Sequence, residues 1–83
     1  MRRYMVYRIG SNAANQSACQ KYALGTVEAK SREMARYHAG LLWGHTCYAN
    51  QYLDVKAWSR IPRAERDRFE LSQAIQAAYR KED

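Results

Sequence analysis

Proline occurs once in 83 residues and glycine four times, and the glycines are not clustered. That excludes a glycine-rich phosphate loop and any proline- or glycine-rich linker. Two cysteines, Cys19 and Cys47, are too few for a disulfide framework, so two reduced, partly buried thiols are the expectation. No apolar run approaches the roughly 20 residues that span a bilayer, and no charged-then-apolar leader opens the chain. A cytoplasmic location without membrane contact is therefore expected. Acidic side chains are scarce: eight stand against fourteen Lys and Arg, for a formal net charge of +6.

What is present is aromatic and basic. Seven Tyr, two Trp and one Phe are many for this length, and 47% hydrophobic against 27% charged residues describes a globular chain. Residues 1–83 suit one domain with one modest core, which a bound partner or a second copy would stabilise. Ten of the fourteen cations are Arg, the side chain suited to bidentate contact with carboxylate or phosphate. The excess lies early: Arg2, Arg3, Arg8, Lys21 and Lys30 face Glu28 alone in the first thirty residues, while Arg60 to Asp83 is nearly balanced.

Arg3 to Ile9, rich in β-branched and aromatic residues, reads as a strand. Gly10 to Gln20, polar and small, reads as a loop too long for a tight hairpin turn. Lys21 to Ala29 reads as a second strand, with Ala23, Gly25, Val27 and Ala29 on one face where a helix can pack closely. Ser31 is a good N-cap for a helix in which Met34, Tyr37, His38, Leu41 and Leu42 recur at helical spacing before Gly44. Cys47 to Trp58 alternates, with Ala49, Leu53, Val55 and Ala57 toward the core and Tyr48, Tyr52, Lys56 and Trp58 away from it. Ser59 and Pro62 open a second helix with a stripe of Ala64, Leu71, Ile75 and Ala78. Val27-x-Ala29-x-Ser31-Arg32 is echoed by Val55-x-Ala57-x-Ser59-Arg60, each where a strand hands over to a helix. The fold class is therefore α+β in the order β-β-α-β-α: a three-stranded sheet with both helices on one face. The second and third strands either pair in parallel or flank the first.

Catalytic and metal chemistry find little support. His45-Thr46-Cys47 is too tight for a zinc-finger pair, and neither Cys19 nor His38 has a partner at ligand spacing. No strained turn presents Cys19 as a nucleophile, and Glu28, Glu33 and Asp54 are single carboxylates. The expectation is a protein that is not an enzyme and has no cofactor and no metal. The candidate surface is the outward parity of the third strand, Tyr48, Tyr52, Lys56 and Trp58, with Arg8 beside it. Rings interleaved with cations can stack bases or anchor a protein interface. Ser11 to Ser17 would border that surface, and a homodimer could close over it.

In size and parts, the strand Tyr4 to Ile9 followed by Gly10-Ser11-Asn12-Ala13-Ala14-Asn15-Gln16, and the helix start Ser31-Arg32-Glu33, resemble the small accessory proteins of phages and mobile elements, anti-CRISPR proteins among them. That resemblance implies a phage-encoded inhibitor acting in the host cytoplasm on a host protein or ribonucleoprotein complex. Many anti-CRISPR proteins are acidic and mimic DNA, whereas this chain is basic, so the implied mode is steric blocking of a protein subunit. The alternative is a small nucleic-acid-binding module using sheet aromatics and the basic patch Arg2, Arg3, Arg8, Lys21 and Lys30. If Ser31 caps its helix, Ser31→Ala lowers stability by about 1 kcal/mol in urea melts; a variant as stable as the parent would contradict the assignment.

Overall fold

A strand with apolar residues on both parities must sit between two layers. In the computed structural model, β1 (Arg2–Asn12) occupies that position. Residues 1–12, 15–48 and 50–81 are described, with side chains left aside for 11–20 and 81. β2 (Asn15–Ala29) and β3 (Gln51–Ala57) flank β1, both antiparallel to it, in the order β2-β1-β3. α1 (Arg32–Trp43) links β2 to β3, and α2 (Arg63–Lys81) closes the order β-β-α-β-α. Short 3-10 turns lie at Gly44–Thr46 and Trp58–Arg60. No helix among the described residues is long and apolar enough to cross a membrane.

Two clusters divide the core. Tyr4 and Val6 of β1 join Val27, Ala29, Val55 and the α1 residues Ala35 and Ala39. Met5 and Tyr7, of the opposite parity, join Ile61, with Trp58 and the α2 residue Phe69 packed against them. The order of elements is as the sequence implies, but the layering is not: α1 covers one face of the sheet and α2 the other. The cause is β1 itself. Four consecutive buried residues, Tyr4 to Tyr7, need cover on both sides, and helices on one face would leave Met5 and Tyr7 wet.

Ser31 caps α1, its Oγ accepting from the Met34 N–H at 3.2 Å. The helix then packs through its alanines and not through its large side chains. Ala35 and Ala39 are fully buried, while Met34, Tyr37, Leu41 and Leu42 are exposed. The sheet face beneath is already filled by Tyr4, Val6, Val27 and Val55, so only small residues let the helix axis come close. α2 starts after Pro62, whose carbonyl accepts from the Glu65 and Arg66 N–H groups at 3.0 Å. Ser59 lies in the 3-10 turn before it and does not open the helix. The Val-x-Ala echo nevertheless has a structural counterpart: Val27 and Ala57 both pair with Tyr4, and Val55 pairs with Val6.

Three boundaries differ from the sequence reading. The stretch Gly10 to Gln20 is ladder, with Gly10 opposite Gln20 and Asn12 opposite Asn15. Pairing is carried by backbone groups, which polar residues supply as well as apolar ones. Ala13 and Ala14, and so the form of the turn, lie outside the described residues. β3 begins only at Gln51, because Gly44 to Thr46 continue α1 as a 3-10 turn; Ala49 also lies outside the described residues. A register shift opposite Val6 and Tyr7 makes Leu24 an extra residue, so Gly25 pairs with Val6 while Ala23 pairs with Tyr7. This bulge puts Leu24 with the α1 cluster and turns Ala23 to the α2 face, away from Gly25, Val27 and Ala29.

Gly25 is required by its neighbour. A Cβ there would stand 2.8 and 2.9 Å from Cζ2 and Cη2 of Trp43, the ring that ends α1 against the core. Gly25→Ala therefore lowers stability by about 1–3 kcal/mol through overpacking, against ~0.5–1 kcal/mol returned by removing glycine's freedom in the unfolded chain. Urea melts check this, and an unchanged or raised midpoint would contradict it.

Candidate interaction surface

Residues paired across an antiparallel ladder share a face. Arg8 pairs with Leu53 and with Tyr22, on the α1 side; Ile9 pairs with Tyr52 and with Lys21, on the α2 side. These rows lie at the margin of what the helices cover: Leu53 and Ile9 still pack against the two core clusters, while Tyr22, Tyr52 and Lys21 are exposed. Tyr48 stands beside the start of β3, 79% exposed. Its N–H donates to Gln51 Oε1 at 2.9 Å, and its carbonyl accepts from the Gln51 N–H at the same distance, which fixes the backbone that carries the ring. The outcome is a sheet end ringed by three exposed tyrosines, two on opposite faces, with one cation on each face.

The five residues read from sequence as one surface are thus divided. Tyr48 and Tyr52 stay together at this end. Arg8 reaches it from the other face, its guanidinium 5.7 Å from the Tyr22 ring centre and its buried Nε without an acceptor. Lys56 lies four rows from Tyr52, opposite Met5. Trp58 is not a free ring: it lies half-buried, edge-on to Phe69 at 6.2 Å, with the Arg3 guanidinium 3.9 Å above it. Strand parity predicts its direction, but the chain leaves β3 at Ala57 and folds Trp58 inward. Tyr22 was passed over although the alternation of Lys21 to Ala29 already turned it away from the helix-packed face; the bulge at Leu24 changes only which face carries it.

The basic patch is divided as well. Arg3 is engaged by Trp58 and, weakly, by Glu70 at 3.9 Å. Lys21 sits 4.1 Å over the Tyr7 ring, and Lys30 is exposed at the turn into α1. Arg2 and Lys21 instead meet cations from distant segments. They line a cleft of about 390 Å³ together with Arg32, Lys56, Arg60 and a single carboxylate, Asp54. Arg32 holds Asp54 Oδ1 at 2.8 Å and donates from Nε to the Val55 carbonyl at 3.2 Å, which ties the start of α1 to β3. Both partners are substantially exposed, so the pair itself is worth no more than about 1 kcal/mol. It leaves the cleft with four cations and no free carboxylate.

Among the described residues no three of His, Cys, Asp and Glu come together. Cys47 is a half-buried free thiol; the Cys19 side chain lies outside the described residues. A polar pair invisible in the sequence joins residues 58 apart: the Tyr7 hydroxyl donates to Glu65 Oε1 at 2.9 Å, fastening α2 to its face of the sheet. Burial foremost, then the hydrogen bond and charge of Glu65, push the Tyr7 hydroxyl from 10.0 up to about 12. That holds it firmly protonated, the reverse of an activated tyrosinate. No family model, curated protein or solved structure matches the chain.

Because the folded-state pKa of Tyr7 is raised, the stability it contributes is complete below pH 10.0 and is lost as pH climbs toward about 12. Tyr7→Phe should cost about 1 kcal/mol at neutral pH. The gap between parent and variant in urea melts should narrow between pH 10.0 and about 12. A constant gap would contradict the Tyr7–Glu65 assignment.

Proposed function

We propose that the chain is a non-catalytic binding protein of the kind carried by phages and mobile elements, and that it inhibits a host nucleic-acid-handling complex by docking on one of its protein subunits. The observation that carries this reading is the ring of Tyr22, Tyr48 and Tyr52 around the partly covered sheet end. Tyr and Arg are the residues that most often anchor protein interfaces, because they add large contact area at small entropic cost and keep a polar tip. Arg8 adds a half-buried guanidinium at this end, and a carboxylate on the partner can pair with its accessible N–H groups. With a net charge of +6, the chain favours an acidic protein face over a basic one. The resemblance to anti-CRISPR proteins supplies the biological setting of the proposal.

A second reading has an observation of its own. The cleft of Arg2, Lys21, Arg32, Lys56 and Arg60 gathers phosphate-binding side chains from five parts of the chain, as a small nucleic-acid-binding module would. The two readings separate by surface and by salt. As an inhibitor, the chain expressed in bacteria with active CRISPR immunity restores phage plaquing, and Tyr48→Ala with Tyr52→Ala removes that protection while the circular dichroism spectrum is unchanged. Equal protection by the double variant, or none by the parent, would sink the first reading. Oligonucleotide binding that falls steeply with salt and is lost in Arg2→Ala with Lys56→Ala would establish the second.

A further inference from the structure

Among the described residues, none covers the far half of α2. Every residue from 71 to 80 is exposed, whereas Glu65, Arg66 and Phe69 in the first half are partly covered by the sheet. An exposed helix surface is expected to be charged. The segment Leu71 to Tyr79, Leu-Ser-Gln-Ala-Ile-Gln-Ala-Ala-Tyr, carries no charge at all. Leu71, Ile75 and Tyr79 recur every fourth residue and so form one stripe, and they are 62%, 48% and 70% exposed. A helix half held by neither packing nor charge pairs has little besides intrinsic propensity to keep it formed.

The whole molecule carries the same signature. Its accessible surface is 6426 Å², where a folded monomer of 9.7 kDa exposes roughly 5100 Å². Its radius of gyration is 14.0 Å, against roughly 12 Å for a compact chain of this length. The surplus surface exceeds the roughly 800 Å² that a standard interface removes from one partner. A protomer drawn out of a dimer carries an excess of this size.

We infer that the far half of α2 pairs with the same segment of a second copy of this chain, the two helices running antiparallel about a two-fold axis at Ile75. The stripe is self-complementary in the way such an axis demands, since Leu71 and Tyr79 stand equally far from Ile75. Ile75 then meets its own copy, and each Leu71 meets the partner's Tyr79. The small side chains Ser72, Ala74 and Ala78 flank the seam and allow the axes to approach. The pairing leaves the tyrosine-ringed sheet end free, so one dimer presents two docking surfaces.

Sedimentation of the full chain at high micromolar concentration tests this. The parent should run at twice the chain mass and dissociate on dilution, and Ile75→Asp should run as a monomer with its sheet intact by circular dichroism. Leu41→Asp, on the exposed side of α1, should remain dimeric. A parent monomeric at every concentration would overturn the proposal, as would an Ile75→Asp variant that stays dimeric. So would a dimer that Leu41→Asp breaks and Ile75→Asp does not, which moves the seam to α1. Tyr48→Ala with Tyr52→Ala leaves the mass unchanged, so failure here and failure of the inhibitor reading are told apart.

Discussion

Burial of β1 on both faces is the constraint from which the rest follows. Tyr4 and Val6 point to one layer and Met5 and Tyr7 to the other, and all four are buried. At roughly 1.5–3 kcal/mol for each large apolar side chain removed from water, no arrangement that leaves one parity exposed competes in a chain this small. One helix must therefore lie on each face. With only two helices, neither can cover its face completely. α1 lies over the rows around Tyr4 and Val6, and α2 touches the sheet only through its first half. The partly covered sheet end and the overhanging half of α2 are consequences of a two-sided core served by two short layers.

Charge follows the same geometry. Cations that cluster at the start of the sequence separate in space, because alternate residues of β1 and β2 leave on opposite faces. Arg3, Arg8 and Lys21 each lie over an aromatic ring, a contact worth about 0.5–1 kcal/mol at exposed sites. The most concentrated basic feature is the cleft where Arg2 and Lys21 meet Arg32, Lys56 and Arg60, and it takes shape only when β3 docks beside β1.

Much of the fold was legible because local signals were strong. Ser31 caps its helix as its chemistry implies, Gly44 follows the last residue of α1, and Leu53, Val55 and Ala57 share the face that their alternation assigns. Strand order and layering were not legible, since both depend on which face each element covers. Periodicity misled in α1 and α2 for a physical reason. An apolar stripe implies that something covers it, and here the sheet takes Ala35 and Ala39 while the large residues stay exposed. The bulge at Leu24 reverses parity along β2 and carries no sequence mark. Of the candidate surface, Tyr48 and Tyr52 lie near each other at one end of the sheet, whereas Arg8 stands on the opposite face from Tyr52. Lys56 and Trp58 were drawn in by carrying strand parity past the covered rows, and Trp58 lies beyond the strand's end.

Nuclear Overhauser contacts from the two helices to β1 test this account most directly. A two-sided core requires α1 methyl groups, Ala35 and Ala39, to contact the set Tyr4, Val6, Val27 and Val55, and the Phe69 ring to contact Met5, Tyr7 and Ile61. Contacts from both helices to the same parity of β1, with the other parity facing water, would contradict it.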